Sequence, residues 1–321
     1  PASLMIKNDH YCELRYGENP HQTAALYADP TVQEANVVSA LQLNPTAKEL
    51  SYNNYNDSDG ALNLIKEFKQ PAAAIIKHAN PAGCAVAKTI SEAYAKALST
   101  DPMSAFGGVV ALNQECDVKT AEQIVSSFKE VVVAPSYTED SLNILRTKKN
   151  LRILSVGELN SPSVTLVEKP IVGGRLIQQR DLSSLSSKDL QVVTKIEPTP
   201  AQIETMLFAW KVVKHVKSNA IVFATGTETV GLGMGQVSRV DAVRLASIKA
   251  VEHSENKTPK GAVMASDAFF PFPDALENAA EAGISAVIQP GGSINDDAVI
   301  DAANNLDISM VFTGTRCFKH D

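Results

Sequence analysis

Short apolar runs alternating with helix-like stretches predict a layered α/β protein, and a near-constant spacing between look-alike runs predicts two tandem units. The runs are AAAIIKH (72–78), GGVVALN (107–113), VVVAP (131–135), AIVFA (220–224), GAVMAS (261–266), AVIQ (286–289) and SMVFTG (309–314). Their unbroken apolar character is that of strands covered on both faces. AAAIIKH matches NAIVFAT at an offset of 147 residues, GGVVALN matches KGAVMAS at 153, and VVVAP matches AVIQP at 155. Two copies of one α/β unit account for this.

The seam falls near TKIEPTPAQ (194–202), where Pro198 and Pro200 interrupt regular structure and Thr199 can cap the next helix. The units are therefore expected at 1–197, which includes an N-terminal nucleotide-binding segment, and at 198–321. The helix after the seam carries Ile203, Met206, Leu207, Trp210 and Val213 on one face, a spacing that marks core packing.

The chain has 321 residues, enough for two units that each bury a core. It is 44% hydrophobic and 20% charged, which leaves no long tract too polar to fold. With 29 Lys and Arg against 36 Asp and Glu the net charge is −7, so no basic excess exists to follow a nucleic-acid backbone. Cys12, Cys84, Cys116 and Cys317 form no CxxC pair, which argues against a disulfide framework or zinc ribbon and fits a reducing cytoplasm. No apolar window is long enough for a membrane span, and no basic-then-apolar leader opens the chain. A start at Pro1 reads as a processed or truncated piece of something longer.

Chemistry is best placed where AAAIIKH runs from apolar residues into Lys77 and His78, followed by the turn-forming ANPAG. In open α/β sheets the functional crevice lies beyond the carboxyl ends of strands. A cationic Lys77 disfavours a second positive charge on His78, whose ordinary pKa of about 6.5 would fall and leave a neutral base. One group could then take a proton while the other faces a developing oxyanion. The same dipeptide also reads as a strand-end pair facing water.

Other segments carry a functional and a structural reading side by side. PGGS (290–293) either offers the amides of Gly291 and Gly292 to an anion or makes a tight strand-to-helix turn, with Ser293 and Asp296 at capping-box spacing. GLGMGQ does not match GxGxxG and lacks its βαβ context, so a dinucleotide site is rejected. Ser238 and Arg239 at the head of the next helix suit a carboxylate or phosphate better. LRYGENPHQ (14–22) packs Arg15, Tyr16, Gly17, Asn19 and His21 into a loop with more hydrogen-bonding capacity than a connection needs. Arg316 follows the last strand, and two loop arginines suit bidentate phosphate binding. Phe269, Phe270 and Phe272 in SDAFFPFPD either wall a flat heterocycle or plug the base of a domain. A zinc deaminase would need HxE with PCxxC, but HANPAGC has Asn80 in place of the glutamate. A serine hydrolase would need GxSxG, which is absent.

Taken in order, LRYGENPHQ, KELSYNN (48–54), IIKHANPAG, DPMSAFGG (101–108), KSNAIVFA, GQVSR, ASDAFFPF and IQPGGS resemble the AICAR transformylase part of the bifunctional purine-biosynthesis family, whose other activity is IMP cyclohydrolase. The resemblance covers essentially the whole chain. It implies formyl transfer from 10-formyltetrahydrofolate to the 5-amino group of AICAR, a fold of tandem cytidine-deaminase-like units without zinc, and a homodimer with active sites at the subunit interface. No bound cofactor is implied beyond the folate co-substrate.

By position, the resemblance implies that His78 is the general base, that Lys77 stabilises the transition state, and that Asn219 orients the carboxamide. Arg15, Tyr16, Gly107, Phe269 and Arg316 fall on nucleotide-binding positions. Glu130, which stands where some members have Asp, is expected near the ribose hydroxyls. Arg239, Asp274, Gly291 and Gly292 fall on folate positions. The family's cyclohydrolase region has no counterpart in this chain, which is therefore expected not to close the formylated product to IMP by itself.

Overall fold

The computed structural model describes residues 5–160, 162–163 and 165–320, so Pro1–Leu4 of the expected first unit lie outside the described residues. The chain divides into two compact units. The first takes the chain up to Ala82 with Val86–Ala95 and Met103–Asn160, and the second takes Gly83–Ala85, Lys96–Pro102 and everything from 161 on. Residues 165–197, placed before the seam by sequence, thus cluster with the second unit.

The strands of the first unit are β1 (Asp9–Leu14), β2 (Ala24–Ala28), β3 (Leu41–Gln42), β4 (Ala72–Lys77), β5 (Asn80–Val86), β6 (Val109–Leu112), β7 (Val131–Ala134) and β8 (Arg152–Ser155). Its helices are α1 (Tyr52–Ile65), α2 (Ile90–Leu98), α3 (Pro102–Ala105), α4 (Val118–Val125) and α5 (Glu139–Leu145), although Gly83–Ala85 of β5, the last turn of α2 and the first residue of α3 cluster with the second unit. The sheet runs β5-β4-β6-β7-β8-β3. β4 lies antiparallel to β6, while β6, β7 and β8 are parallel. β6 and β7 are buried at every position, as unbroken apolar strands require.

The second unit adds β9 (Leu166–Ile171), β10 (Gly174–Gln179), β11 (Gln191–Val192), α6 (Pro200–Val213), β12 (Ile221–Thr225), β13 (Glu228–Gly233), α7 (Arg239–Glu252), β14 (Val263–Ser266), α8 (Asp274–Glu281), β15 (Ala286–Gln289), α9 (Asp296–Asn305) and β16 (Ser309–Phe312). Its sheet runs β11-β16-β15-β14-β12-β13, with β12 antiparallel to β14 and β14, β15 and β16 parallel. β11 pairs with β16, which ties part of the 161–197 segment into this unit. Side chains of α7, α8 and α9 close over Ile221, Phe223, Met264, Val287 and Met310, all fully buried. α6 starts as the sequence predicts: Thr199 accepts from the Gln202 amide and Pro200 sits in the first turn.

All seven sequence-identified runs become strands. Gly107 and Gly261 shorten two of them, because their φ values of +65° and +79° cannot continue a strand. Helix, hairpin, helix and three parallel strands with intervening helices occur in the same order in both units. Lys77 and Asn80 flank the first hairpin turn as Thr225 and Glu228 flank the second, which sets the matching hairpin offset at 148 (225 − 77), one residue more than the sequence alignment has it.

Candidate active site

Lys77 ends β4 and His78 follows it, so the pair lies at the carboxyl end of its own strand as expected, though not at that of the parallel strands. Because β4 runs antiparallel to β6, its carboxyl end lies beside the amino end of β6, where Ile76 pairs with Val109. In the first unit the candidates therefore gather at the amino ends of the parallel strands: Gly107 precedes β6, Glu130 precedes β7 and Arg152 opens β8. In the second unit they gather at the carboxyl ends, where Asp267 and Phe269 follow β14, Gly291 follows β15 and Arg316 follows β16. Only the second arrangement obeys the crevice rule.

Lys77 donates from Nζ to the Gly107 carbonyl at 2.9 Å, which aims the ammonium across the strand ends. Gly107 is fixed in turn by its own amide, which donates to the Phe128 carbonyl at 2.8 Å. A side chain there would meet both the Lys77 ammonium, 3.2 Å from a built Cβ, and the Phe128 ring. His78 is exposed and, with Ala79, forms a two-residue hairpin turn between β4 and β5. Both residues are left-handed, at φ 52° and 61°. Such a conformation costs a non-glycine residue roughly 1–2 kcal/mol. ANPAG is thus only partly a turn, since Asn80 already begins β5.

Helix α1 ties this neighbourhood together, though nothing in the sequence beyond KELSYNN signals it. Asn53 donates to the Glu18 carbonyl in the RYG loop at 3.2 Å, and Asn54 donates to the Glu130 carboxylate at 2.7 Å. Asp57 accepts from the amides of His78 at 3.2 Å and Ala79 at 2.7 Å. Residues 15–23 connect β1 to β2, and Gln22 braces them by accepting from the Asn19 backbone at 2.9 Å. The exposed Arg15 guanidinium lies 5.4 Å from the Tyr16 ring centroid. Arg152 donates to the carbonyls of Lys48 and Glu49. Burial pushes its guanidinium down, Glu130 opposes that, and Arg15 adds to it, so these charges feel one another.

In the second unit Arg239 is buried rather than presented to a ligand. Its guanidinium contacts the fully buried Asp267 carboxylate and donates to Ser266 Oγ at 3.1 Å and Asn219 Oδ1 at 2.7 Å. Asn219 in turn donates to the Gln236 carbonyl at 2.7 Å. These bonds give Arg239 a bracing role between Asp267 and Asn219. Phe270 is fully buried in the core, whereas Phe269 and Phe272 remain 37% and 60% exposed, so the aromatic trio divides between the two readings. Arg316 is exposed, with its guanidinium 4.8 Å from the Phe318 ring centroid.

Residues 1–249 match the AICARFT/IMPCHase bienzyme family. The chain belongs to that family. It is 49% identical over 322 residues to the bifunctional purine biosynthesis protein PurH of Acetivibrio thermocellus, covering 100% of this chain and 61% of that protein. It is 52% identical over 329 residues to PurH of Magnetococcus marinus, covering 100% of this chain and 62% of that one. The chain thus spans about three-fifths of the length of these relatives.

In the strand-to-helix turn the amides of Gly291 and Gly292 have partners within the chain. The Gly291 amide donates to Gln289 Oε1 at 2.7 Å and the Gly292 amide to Asp296 Oδ2 at 2.7 Å, so neither is turned to an anion. Asp296 also accepts from the Ser293 amide, giving half of the expected capping box. Gly291 is needed because a Cβ would lie 2.4 Å from the Phe312 ring. Asp274 opens α8, exposed, and caps its own helix by accepting from Ala275 at 2.8 Å. Two of the GLGMGQ glycines serve packing: a Cβ at Gly233 would lie 1.8 Å from the Ala242 carbonyl and one at Gly231 2.2 Å from that of Ala246.

Proposed function

We propose that the chain transfers a formyl group from 10-formyltetrahydrofolate to the 5-amino group of AICAR, as the transformylase part of its family. Family membership supports the reaction class, and the clamped His78–Ala79 turn beside Lys77 is the observation that supports the assignment of residues. A non-glycine left-handed turn at a strand end, held by a carboxylate, is strain of the kind kept at working sites.

The AICAR amine is conjugated with an electron-poor imidazole carboxamide and is a weak nucleophile. Its proton leaves as nitrogen attacks the formyl carbon, and His78 receives it, a contribution of about 10² to 10⁴ in rate. The formyl oxygen takes up the electron pair and the Lys77 ammonium stabilises it. Collapse expels the folate nitrogen, which takes a proton from the Lys77 ammonium and leaves as tetrahydrofolate, and the proton held by His78 restores the lysine. Asn219, braced by Arg239, orients the carboxamide. Arg15 and Arg316 take the phosphate, Tyr16, Gly107 and Phe269 the rest of the nucleotide, and Glu130 the ribose hydroxyls. Asp274 and the Gly291–Gly292 turn shape the folate side. The active form is a cytoplasmic homodimer with its sites at the interface, built from tandem cytidine-deaminase-like units that work without zinc.

The test is direct. Purified chain, AICAR and 10-formyltetrahydrofolate are mixed and tetrahydrofolate formation is followed by absorbance. Turnover that depends on both substrates supports the reading, and none at any folate concentration contradicts it.

A further inference from the structure

The two units treat one hairpin differently. In the second unit Thr225 pairs with Glu228 across a two-residue turn whose first residue is Gly226 at φ 54°, a conformation free to glycine. The matching turn of the first unit holds His78 and Ala79, both left-handed and neither glycine. The helices α1 and α6 match at the same offset of 148, since each has 14 residues, beginning at Tyr52 and Pro200. Asp57 on α1 therefore corresponds to Thr205 on α6. Thr205 donates to the carbonyl of Ala201 in its own helix at 3.0 Å, whereas the Asp57 carboxylate reaches out to accept from both turn amides, one on each oxygen. The carboxylate clamp occurs where the turn lacks glycine.

We infer that Asp57 is a positioning residue for formyl transfer, holding His78 in the left-handed turn from which its imidazole serves as base. This rests on the reading of His78 given above. Asp57 bonds backbone amides, so it acts through His78 and not on substrate. Its two charge-assisted bonds offset the cost of the turn and fix the direction in which the imidazole leaves the chain. Ala79, the second turn residue, is where glycine is most favoured in a turn with φ > 0 at both central positions. A glycine there supplies an independent means of holding the same backbone.

The experiment compares Asp57→Ala, Asp57→Asn, Ala79→Gly, the double variant Asp57→Ala/Ala79→Gly and His78→Ala. Each is followed by formyl transfer, thermal melting and amide hydrogen exchange at residues 78 and 79. Asp57→Ala is expected to lower kcat at least about tenfold with KM for AICAR nearly unchanged, because misplacement of a base acts on the chemical step. Asp57→Asn keeps one acceptor oxygen and falls between. Ala79→Gly alone stays active, and in the double variant it restores most of the lost kcat. Amide exchange at 78 and 79 speeds up in Asp57→Ala while the melting temperature holds. Wild-type kcat in Asp57→Ala beside an inactive His78→Ala would overturn the inference and leave the role of His78 intact. A loss of kcat that is as deep in Asp57→Asn as in Asp57→Ala, and that Ala79→Gly does not relieve, would also overturn it, by showing that Asp57 acts otherwise than through the turn. Full turnover in His78→Ala would instead remove the base assignment, and the inference with it.

Discussion

Arg239 bridges Asp267 and Asn219: its guanidinium contacts the buried carboxylate of the one and donates to the side-chain oxygen of the other at 2.7 Å. Asp267 also accepts from the Ala220 amide at 3.1 Å and from Ser218 Oγ, so the segment leading into β12 is fixed from both sides. Removing the cation strands a fully buried carboxylate. Arg239→Ala is therefore expected to destabilise the protein by about 3–5 kcal/mol in urea unfolding. Arg239→Lys keeps a charge for Asp267 but lacks the second arm to Asn219. It should retain more stability than Arg239→Ala while kcat/KM for AICAR drops about tenfold, since the fork geometry is not replaced. Wild-type stability in Arg239→Ala would contradict this account of the pair.

Close approach of α7 to β13 predicts a graded response along GLGMGQ. Gly233→Ala drives a methyl group into the backbone of Ala242, with 1.8 Å between the built Cβ and the carbonyl oxygen. Helix and strand must separate, at a cost of about 3 kcal/mol or more. At Gly235 no atom lies within 4 Å, and alanine bears only the strain of φ 66°, about 1–2 kcal/mol. Chemical denaturation of the two variants checks the order. Equal losses would show that packing does not set the glycine requirement.

A lysine buried beside Glu130 makes stability depend on alkaline pH. Lys129 is 4% exposed and its Nζ donates to Ser127 Oγ at 2.5 Å. Burial lowers its pKa from 10.5 to about 8. The folded chain then loses this proton near pH 8, while the unfolded chain keeps it until about 10.5, so between these values the unfolded state binds more protons and stability rises with pH. Lys129→Met removes the rise. The difference in unfolding free energy between Lys129→Met and the parent should shrink by about 2 kcal/mol from pH ~7.5 to ~9.5, with the variant the more stable at the lower pH. A pH-independent difference would contradict the shift.

Much of the fold was legible because β4, β6, β7, β12, β14, β15 and β16 are continuous apolar runs buried on both faces, and such runs have few other destinations. β5 and β13 escaped notice because Pro81, Gly83, Gly231 and Gly233 resemble turn residues. Three of those four are small because a helix backbone lies on them, with the Ala97 carbonyl 2.0 Å from a built Cβ at Gly83. The β9–β10 hairpin is exposed along almost its whole length, so no alternation of apolar and polar residues marked it. For the candidate site, Lys77, His78 and the RYG loop were visible as polar residues in places that structure alone does not require. Arg239 was visible too, but its partner was not, because Asp267 is distant in sequence. Asp57 sits in YNNYNDSD, a polar helical stretch in which nothing distinguishes it until the hairpin is folded against α1.

Formyl transfer as proposed depends most on one imidazole accepting the amine proton. The measurement that tests it is His78→Ala assayed for AICAR affinity by calorimetry and for turnover with 10-formyltetrahydrofolate. Affinity within a few-fold of wild type with turnover lower by at least about 10² is the predicted result. Near-normal turnover would contradict it.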